Sequence, residues 1–299
     1  MGSPSFHLYS NGKRVTDKIP LSEFSEEETG IFESLRTYGG KIFHLEEHLD
    51  RLFESAKTAG FSASSKKAGR EQSYFLRTGP IKNNFVPSPL DRKRLRREVE
   101  LALRAFKREV PREKKDLFIR LTLFQKKIFV MLGTRVHAPG LYRRGVALKT
   151  SPVKRSLSNA SFPEVKTSSY QNAVLASLEP SGAGTYEWLF LDRNGFATEV
   201  RIGNFFMVKE KVLYTPPVLG ILNGVTRRFV IKCSFALHFT VKEVPLTRHE
   251  IYNADEAFLT NTSWEILPVR ELDSRRIGAK IPGPMTLKLM REFRQSIKK

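Results

Sequence analysis

Short strand-like runs fill most of the chain beyond residue 145, and they constrain the fold more than any other feature. Each run is rich in β-branched and aromatic residues, and Gly, Pro, Asn or Asp separates it from the next. The runs are VALKTSPV, YEWLFLD, NFFMVKE, KVLYTPP, FTVKEVPL and EAFLTNTSWEILPV. Helical patterns interrupt them only at about residues 169–178, 224–237 and 284–296. We therefore predict a strand-rich C-terminal region with few helices.

The region before residue 135 mixes strands with helices. An Asn-Gly pair at residues 11–12 predicts a type I′ hairpin, and a Gly-Gly pair at 39–40 predicts a second turn between strands. An amphipathic helix is expected from about Leu45, and another from residues 88–89, where a serine precedes a proline.

A strand pair joined by residues 125–127 follows, and residues 62–88 are expected to form a long loop. The connector GTRVHAPGLYRRG, which contains glycines and a proline, separates the two regions. We predict an α+β protein with a small N-terminal domain at 1–134, a linker at 135–143 and a larger C-terminal domain at 144–299.

Composition places limits on where the protein works. The chain has 299 residues, of which 40% are hydrophobic, so it can bury a full core. Its apolar runs fall far short of the ~20 residues that span a bilayer. The N-terminus lacks the pattern of a secretory signal. Cys233 is the single cysteine, which favours a reducing compartment. We expect a soluble cytoplasmic protein.

The formal net charge of +20 favours anionic partners. However, the basic residues are spread along the chain, and no aromatic-interleaved nucleic-acid module accompanies them. A solvated basic surface, or one that gathers anionic small molecules, is therefore expected, and nucleic acid is disfavoured as the main partner. The chain has no zinc-spaced Cys/His cluster, so no metal site is expected.

Three features in the middle of the chain could serve one cofactor. Lys166 follows a proline and precedes a predicted helix, which gives it a fixed position. Glu199 lies among predicted strands, and Gly224 permits a turn that presents backbone amides at a helix N-terminus. An amine, a carboxylate and a phosphate-binding turn are what pyridoxal phosphate requires from a protein. Taken singly, each feature has an ordinary alternative: a solvated lysine, a strand-end glutamate and a plain helix start.

The sequences around these features are VKTSSYQN, FATEVRIGNFFMV and GILNGVTRR, with EEHLDRL upstream, and they resemble the class IV aminotransferases. This family contains the fold-type IV pyridoxal-phosphate enzymes: branched-chain and D-amino-acid aminotransferases and aminodeoxychorismate lyase. The resemblance runs from about Gly30 to the C-terminus and is weakest near residues 62–88. It implies a small N-terminal α/β domain, a larger C-terminal pseudo-barrel domain and a homodimer.

The resemblance implies a role for each matching residue. Lys166 would hold the cofactor covalently, Tyr170 would bond its phenolic oxygen, and Glu199 would pair with its ring nitrogen. The further implied cofactor contacts are Arg51, Leu222, Val225, Thr226 and Thr262. The arginine lies off the predicted buried stripe of its helix, so it is expected to reach a ligand. Ser169 and residues 200–202 depart from the family pattern.

Substrate contacts are implied along one side of the strand that begins at Gly30 and beyond it. The implied residues are Phe32, Arg36, Tyr38, Arg120 and Ser263. An arginine can receive a carboxylate bidentately, although a structural ion pair is the alternative for both arginines. Phe118 stands where branched-chain members carry a tyrosine, and Trp264 could narrow the pocket.

The implied reaction moves the amino group of an amino acid, by default an aliphatic L-amino acid, to a 2-oxo acid such as 2-oxoglutarate. Two alternatives keep the cofactor: an aminodeoxychorismate lyase, which eliminates pyruvate, and a D-amino-acid aminotransferase. A third is a basic nucleic-acid-binding homologue without turnover. The presence of both Lys166 and Glu199 argues against the third.

Overall fold

The structure, a computed structural model, describes residues 6–15, 30–60, 91–111, 113, 115–124, 127–154, 164–167 and 184–298. The chain divides into two compact units, Met1–Arg135 with Val165–Ser169, and Val136–Glu164 with Tyr170–Lys299. The domain boundaries expected from the sequence stay a prediction. The expected loop at 62–88 and the expected helix at 169–178 lie outside the described residues.

The first unit contains an antiparallel sheet, whose strands are β1 (Phe6–Ser10), β2 (Lys13–Arg14), β3 (Ile31–Tyr38), β4 (Lys41–Ile42), β5 (Leu117–Leu123) and β6 (Ile128–Thr134). In the described part of the sheet they lie in the order β2-β1-β6-β5-β3-β4. Both predicted turns are confirmed. Asn11 and Gly12 have φ values of 51° and 70° between β1 and β2, and Gly39 and Gly40 connect β3 to β4.

Two helices, α1 (Leu45–Thr58) and α2 (Arg92–Glu109), pack on one face of this sheet. Ile31 and Leu35 of β3 form one buried cluster with Leu49 of α1 and Leu95 of α2. The second helix begins at Arg92 rather than at residue 89, where the sequence predicted its start. The reason is that the Asp91 side chain caps it by accepting a hydrogen bond from Lys93 N at 2.9 Å.

The second unit is richer in strands. They are β7 (Val146–Thr150), β8 (Thr185–Leu191), β9 (Ala197–Val200), β10 (Gly203–Lys209), β11 (Val212–Thr215), β12 (Thr240–Glu243), β13 (Glu256–Asn261), β14 (Glu265–Leu272) and β15 (Arg275–Arg276). Its described helices are α3 (Pro139–Arg144), α4 (Val225–Ala236), α5 (Arg248–Tyr252) and α6 (Pro284–Ser296). The last predicted strand run, EAFLTNTSWEILPV, is two strands with a turn between them.

The sheet of the second unit closes on itself. Pairing runs from β10 through β13, β14, β7, β8 and β9 and returns to β10. Phe205, Leu259 and Leu267 are among the fully buried residues of its core. The closed ring confirms the expected α+β fold with a pseudo-barrel in the C-terminal region.

A carboxylate from the barrel caps α6. Glu256 of β13 accepts hydrogen bonds from Met285 N at 2.9 Å and from Thr286 N at 2.7 Å. Gly283 precedes the helix, and a Cβ there would lie 2.1 Å from Glu256 Cδ. The cap therefore requires glycine at this position. Among the helices described above, none is both long and apolar enough to cross a bilayer.

Candidate active site

The backbone of Lys166 is fixed within the first unit. Its carbonyl oxygen accepts a hydrogen bond from Phe32 N at 3.0 Å, and its N–H donates to Ser55 Oγ at 3.4 Å. The next residue, Thr167, forms a β-bridge with Ile31. The segment is therefore attached both to the start of β3 and to α1. The amine Nζ lies 4.8 Å from the centre of the Phe32 ring.

A buried charged cluster lies in the same unit. Glu33 of β3 accepts hydrogen bonds from Arg51 Nε, Arg51 Nη2 and His48 Nδ1, each at 2.7 Å. Burial alone would raise the pKa of Glu33, but the Arg51 charge and these hydrogen bonds hold that pKa well below its usual range. Burial, together with the charges of Arg51 and Lys166, lowers the pKa of His48. At neutral pH the carboxylate is therefore ionised and the imidazole is neutral.

The position of Arg51 corrects the sequence-based expectation. The helical pattern left this residue outside the buried stripe of α1, yet it is only 7% exposed and it is ion-paired with Glu33. A guanidinium has five N–H donors, and the two bonds to Glu33 use two of them. The ion pair also fixes the orientation of the guanidinium plane.

The implied substrate residues of this unit lie on the sheet face opposite the helices. Arg36 pairs with Phe118 across β3 and β5, so Phe32, Tyr38 and Arg120 project to the same side. Arg120 Cζ lies 3.7 Å from the centre of the Phe32 ring, and Arg36 Cζ lies 5.1 Å from that of Tyr38. This face is a wall of aromatic rings with guanidinium groups stacked on them.

Glu199 lies in β9, the short strand that closes the barrel of the second unit. Its Oε2 accepts hydrogen bonds from Leu222 N at 3.1 Å and from Asn204 Nδ2 at 3.4 Å. Asn204 Nδ2 also donates to Leu222 O at 2.8 Å. The carboxylate is buried, and these contacts fix its orientation.

The loop that holds Glu199 leads directly into α4. Gly224 precedes this helix and has no side chain to cap it. Val225 and Thr226 open the helix, and N–H groups in this first turn lack intrahelical acceptors. Such a terminus attracts anions. A Cβ on Gly224 would lie 2.2 Å from Asn204 Oδ1, so the close approach of the loop requires glycine.

Thr262 and Ser263 lie in the turn between β13 and β14. Asn261 Oδ1 accepts a hydrogen bond from Ser263 N at 2.8 Å, and Asn261 Nδ2 donates to Ile202 O at 2.9 Å. Because Ile202 lies between β9 and β10, the turn is tied to the loop that follows Glu199. Ser263 Oγ also lies 2.8 Å from His137 Nε2, within hydrogen-bonding distance.

Of the residues that depart from the family pattern, Ser169 lies outside the described residues, whereas 200–202 are described. Val200 is buried in the core, and Ile202 is exposed. Arg201 donates to Glu187 of β8 from Nε at 3.0 Å and from Nη2 at 3.1 Å. Burial raises the pKa of Glu187 even though Arg201 opposes that rise. The arginine therefore balances a buried carboxylate beside the strand that carries Glu199.

The predicted residues fall into two groups, one in each unit. The first group is Arg51, Lys166, Phe32, Arg36, Tyr38 and Arg120, and the second is Glu199, Leu222, Val225, Thr226, Thr262 and Ser263. Within the first, Phe32 contacts both Lys166 and Arg120. Tyr38 lies about 20 Å along β3 from Phe32 and is not brought close to Lys166. Tyr170 lies outside the described residues.

Sequence reasoning missed Glu33, His48 and Ser55, which support the first group. One signal was available. Glu33 alternates with Ile31 and Leu35 on the core side of β3, where an ionised carboxylate requires a buried partner. The choice of that partner depends on the packing of α1, which the sequence alone does not show.

The donor set fits pyridoxal phosphate. Lys166 supplies an amine on a fixed backbone, and Glu199 supplies a buried, oriented carboxylate. The N-terminus of α4 follows Gly224, which has no side chain to cap it, and a Cβ on that glycine would displace Asn204 beside it. These are the three kinds of group that the cofactor requires.

Comparison with known proteins identifies the family. The family model "Amino-transferase class IV" matches residues 30–272. A branched-chain-amino-acid aminotransferase of Pseudomonas aeruginosa is 33% identical, over 88% of this chain and 82% of that protein. A D-alanine aminotransferase of Bacillus licheniformis is 28% identical, over 90% of this chain and 87% of that protein.

Solved structures agree with this relationship. A branched-chain amino acid aminotransferase from T.th. with pyridoxamine 5′-phosphate superposes with a TM-score of 0.74 at 26% identity, covering 97% of this chain and 93% of that chain. The chain therefore belongs to the class IV aminotransferases, and it is a pyridoxal-phosphate-dependent transaminase.

Proposed function

We propose that this aminotransferase takes a branched-chain L-amino acid as amino donor and 2-oxoglutarate as acceptor. Several relatives of known name act on branched-chain amino acids, including the protein of Pseudomonas aeruginosa. Phe118 and Phe32 supply apolar surface on the sheet face that also carries Arg36 and Arg120. An apolar wall suits an aliphatic side chain, and a guanidinium suits a carboxylate.

Each group of the candidate site has a task in this reaction. Pyridoxal phosphate, when bound, supplies an aldehyde for the amino group and a ring that accepts electrons from the substrate Cα. Lys166 Nζ would hold the cofactor and, as a free amine, would accept and return the proton of the substrate Cα. Glu199 would hold a proton on the ring nitrogen. The family resemblance assigns Tyr170, which lies outside the described residues, to the phenolic oxygen.

Candidate donors for the phosphate occur in each of the two groups of residues. Arg51 supplies a guanidinium whose plane Glu33 orients. Val225 and Thr226 supply backbone amides at the start of α4, Leu222 supports the loop, and Thr262 adds a hydroxyl. The bond from Leu222 N to Glu199 carries most weight, because it ties the buried carboxylate to the loop that leads into this helix N-terminus.

A panel of L- and D-amino acids tests the donor. Each is mixed with the cofactor-loaded protein, and loss of the absorbance of the lysine-bound cofactor is followed. Leucine, isoleucine and valine in the L-form are expected to react fastest. Faster reaction with D-alanine would contradict the donor. Release of pyruvate from aminodeoxychorismate would show the lyase reaction instead.

Lys166→Ala tests the covalent anchor. The variant is expected to lose the absorbance of the bound cofactor and all measurable amino-group transfer, because it lacks the amine that would bind the cofactor. Lys154→Ala, which removes an exposed lysine of the second unit, serves as the control and should retain both. Borohydride treatment of the wild-type protein should leave the reduced label on Lys166, and a label elsewhere would contradict the assignment.

We further propose that the protein is a cytoplasmic homodimer with domains at 1–134 and 144–299. The single cysteine, Cys233, is buried, and burial raises the pKa of its thiol to about 11, so it is a poor nucleophile. Light scattering on the purified protein should give twice the chain mass of 34.2 kDa.

A further inference from the structure

Helix α2 gathers positive charge on one surface. Eight of its 18 residues are Lys or Arg, and three are Glu. Of these carboxylates Glu98 is buried, Glu109 is within hydrogen-bonding distance of His7 and Arg14, and Glu100 is exposed. The whole chain has 51 Lys and Arg in 299 residues, so basic residues are more concentrated in α2 than elsewhere, and helical spacing places several of them on one side.

Two of these cations are already neutralised. Arg92 forms ion pairs with Asp50 and Glu46, and Arg96 forms an ion pair with Glu46. Both partners belong to α1. These two arginines therefore join the helices of the first unit and add little to the outward field.

Four other cations form a stripe, and one exposed carboxylate, Glu100, lies among them. Lys93, Arg97, Arg104 and Arg108 are exposed, and at 100° per residue they fall within about 60° of one another around the helix. They lie opposite the buried side that carries Leu95. At 1.5 Å per residue the stripe is about 22 Å long. Among the described residues, none of the four forms an ion pair.

The residues exposed on α2 distinguish between three kinds of anionic partner: a membrane surface, a protein and a nucleic acid. A helix that binds a membrane surface carries exposed Trp, Phe or Leu beside its basic residues. Within the described part of the chain, the exposed large apolar residues all lie outside α2. A protein partner also favours aromatic anchors at the centre of an interface. A row of guanidinium and ammonium groups without such anchors instead matches regularly spaced phosphates, which arginine binds bidentately.

We propose that this basic stripe, Lys93, Arg97, Arg104 and Arg108, binds the phosphate backbone of nucleic acid without sequence preference. Duplex DNA presents one charge per about 1.7 Å of axis, so a surface 22 Å long faces roughly 13 phosphate charges. None of the four residues belongs to the candidate active site. The surface is therefore an accessory to the transaminase, and neither property requires the other.

Binding of a labelled 20-base-pair duplex to the cofactor-loaded protein tests this inference. Fluorescence anisotropy is measured from about 50 to 200 mM salt, the range over which phosphate contacts weaken strongly. The variant Lys93→Ala/Arg97→Ala/Arg104→Ala/Arg108→Ala keeps good helix formers on α2. Its affinity should fall more than tenfold, and the slope of log affinity against log salt should become shallower by about 3 to 4.

A matched variant separates a local surface from diffuse charge. Lys232→Ala/Lys280→Ala/Lys288→Ala/Arg291→Ala removes the same charge from exposed positions of the second unit, and it should bind the duplex like the wild-type protein. Equal loss of binding in both variants would overturn the inference. Failure of the wild-type protein to bind the duplex would also overturn the inference. So would a result in which the four stripe substitutions weaken binding to vesicles of anionic lipid but not to the duplex. Both variants should retain amino-group transfer. Loss of transfer in either variant would count against the proposed function and not against the nucleic-acid surface.

Discussion

Two buried carboxylates, Glu33 in the first unit and Glu199 in the second, are held in different ways. Glu33 receives charged hydrogen bonds from Arg51 and a further one from His48. Glu199 receives hydrogen bonds from two neutral donors, Leu222 N and Asn204 Nδ2. A carboxylate bonded to a buried cation is part of the structure. Neutral donors such as Leu222 N and Asn204 Nδ2 orient a carboxylate without themselves supplying a counterion.

Replacing Glu33 should give the largest change in stability. Glu33→Gln leaves the Arg51 charge buried without its counterion, and removing one partner of a buried pair costs about 3–5 kcal/mol. The free energy of unfolding in urea at pH 7 measures this loss. Glu109→Gln, which removes a carboxylate that is 30% exposed and paired with Arg14, is the control and should lose much less.

The loss of stability in Glu33→Gln should depend on pH. The pKa of Glu33 is lower in the folded chain than in the unfolded chain. Its contribution to stability is therefore present above the unfolded value of about 4.3 and is lost as the pH falls through the folded value. The difference between wild type and Glu33→Gln should narrow as the pH is lowered below about 4. A difference that is constant with pH would show that the ion pair does not stabilise the fold.

Replacing Glu199 should leave stability nearly unchanged and reduce catalysis. Glu199→Gln keeps the shape of the side chain but removes the charge that would hold a proton on the ring nitrogen. We expect kcat to fall by about 10²–10³-fold, the usual effect of losing one preorganised electrostatic group. Glu210→Gln changes an exposed carboxylate of the same unit and is the control. Turnover equal to wild type would remove Glu199 from the mechanism.

A change at Gly224 should weaken cofactor binding by an intermediate amount. In Gly224→Ala the new Cβ would displace Asn204, whose side chain bonds both Glu199 and Leu222. Overpacking of this kind costs about 1–3 kcal/mol, so affinity for pyridoxal phosphate should fall roughly tenfold. The double variant Asn204→Gly/Gly224→Ala removes the collision. If Gly224→Ala adds the same loss in that background, steric displacement of Asn204 is not the cause.

Replacing a third buried carboxylate, Glu256, should cause the smallest loss of stability. Glu256 caps α6 through two backbone amides and lies outside both residue groups of the candidate site. Glu256→Gln should lower thermal stability by about 1–2 kcal/mol, as loss of a helix cap does. Calorimetry measures the change, and amino-group transfer at 25 °C should stay the same. A large loss of activity would connect α6 to catalysis.

Much of this fold follows from local sequence patterns. The hairpins at 11–12 and 39–40 are specified by residues that tolerate positive φ, and α6 begins and ends where its apolar period predicts. The four-residue strand β9 was not predicted, because its four residues are too few to show a period. The closure of the barrel depends on pairings between distant segments, which no local pattern reports.

The candidate site was predictable only in part. The lysine, the glutamate and the glycine turn were proposed because the sequences around them resemble those of class IV aminotransferases, and their roles stay a prediction. The burial of Arg51 and its bond to Glu33 were not foreseen, and its role as a cofactor contact stays a prediction. Helical periodicity separates apolar from polar residues, and it cannot show that a buried arginine has found a carboxylate on a neighbouring strand.

Strand β9 pairs with β8 on one side and with β10 on the other. Glu199 therefore lies in a closed part of the sheet, where both edges of its strand are hydrogen-bonded. Engineers who wish to alter which amino acids this enzyme accepts should therefore leave the ring intact. The guanidinium-bearing strands β3 and β5 are the better place for diversity, since side chains on their outer face can change while the hydrogen-bonded backbone stays in register.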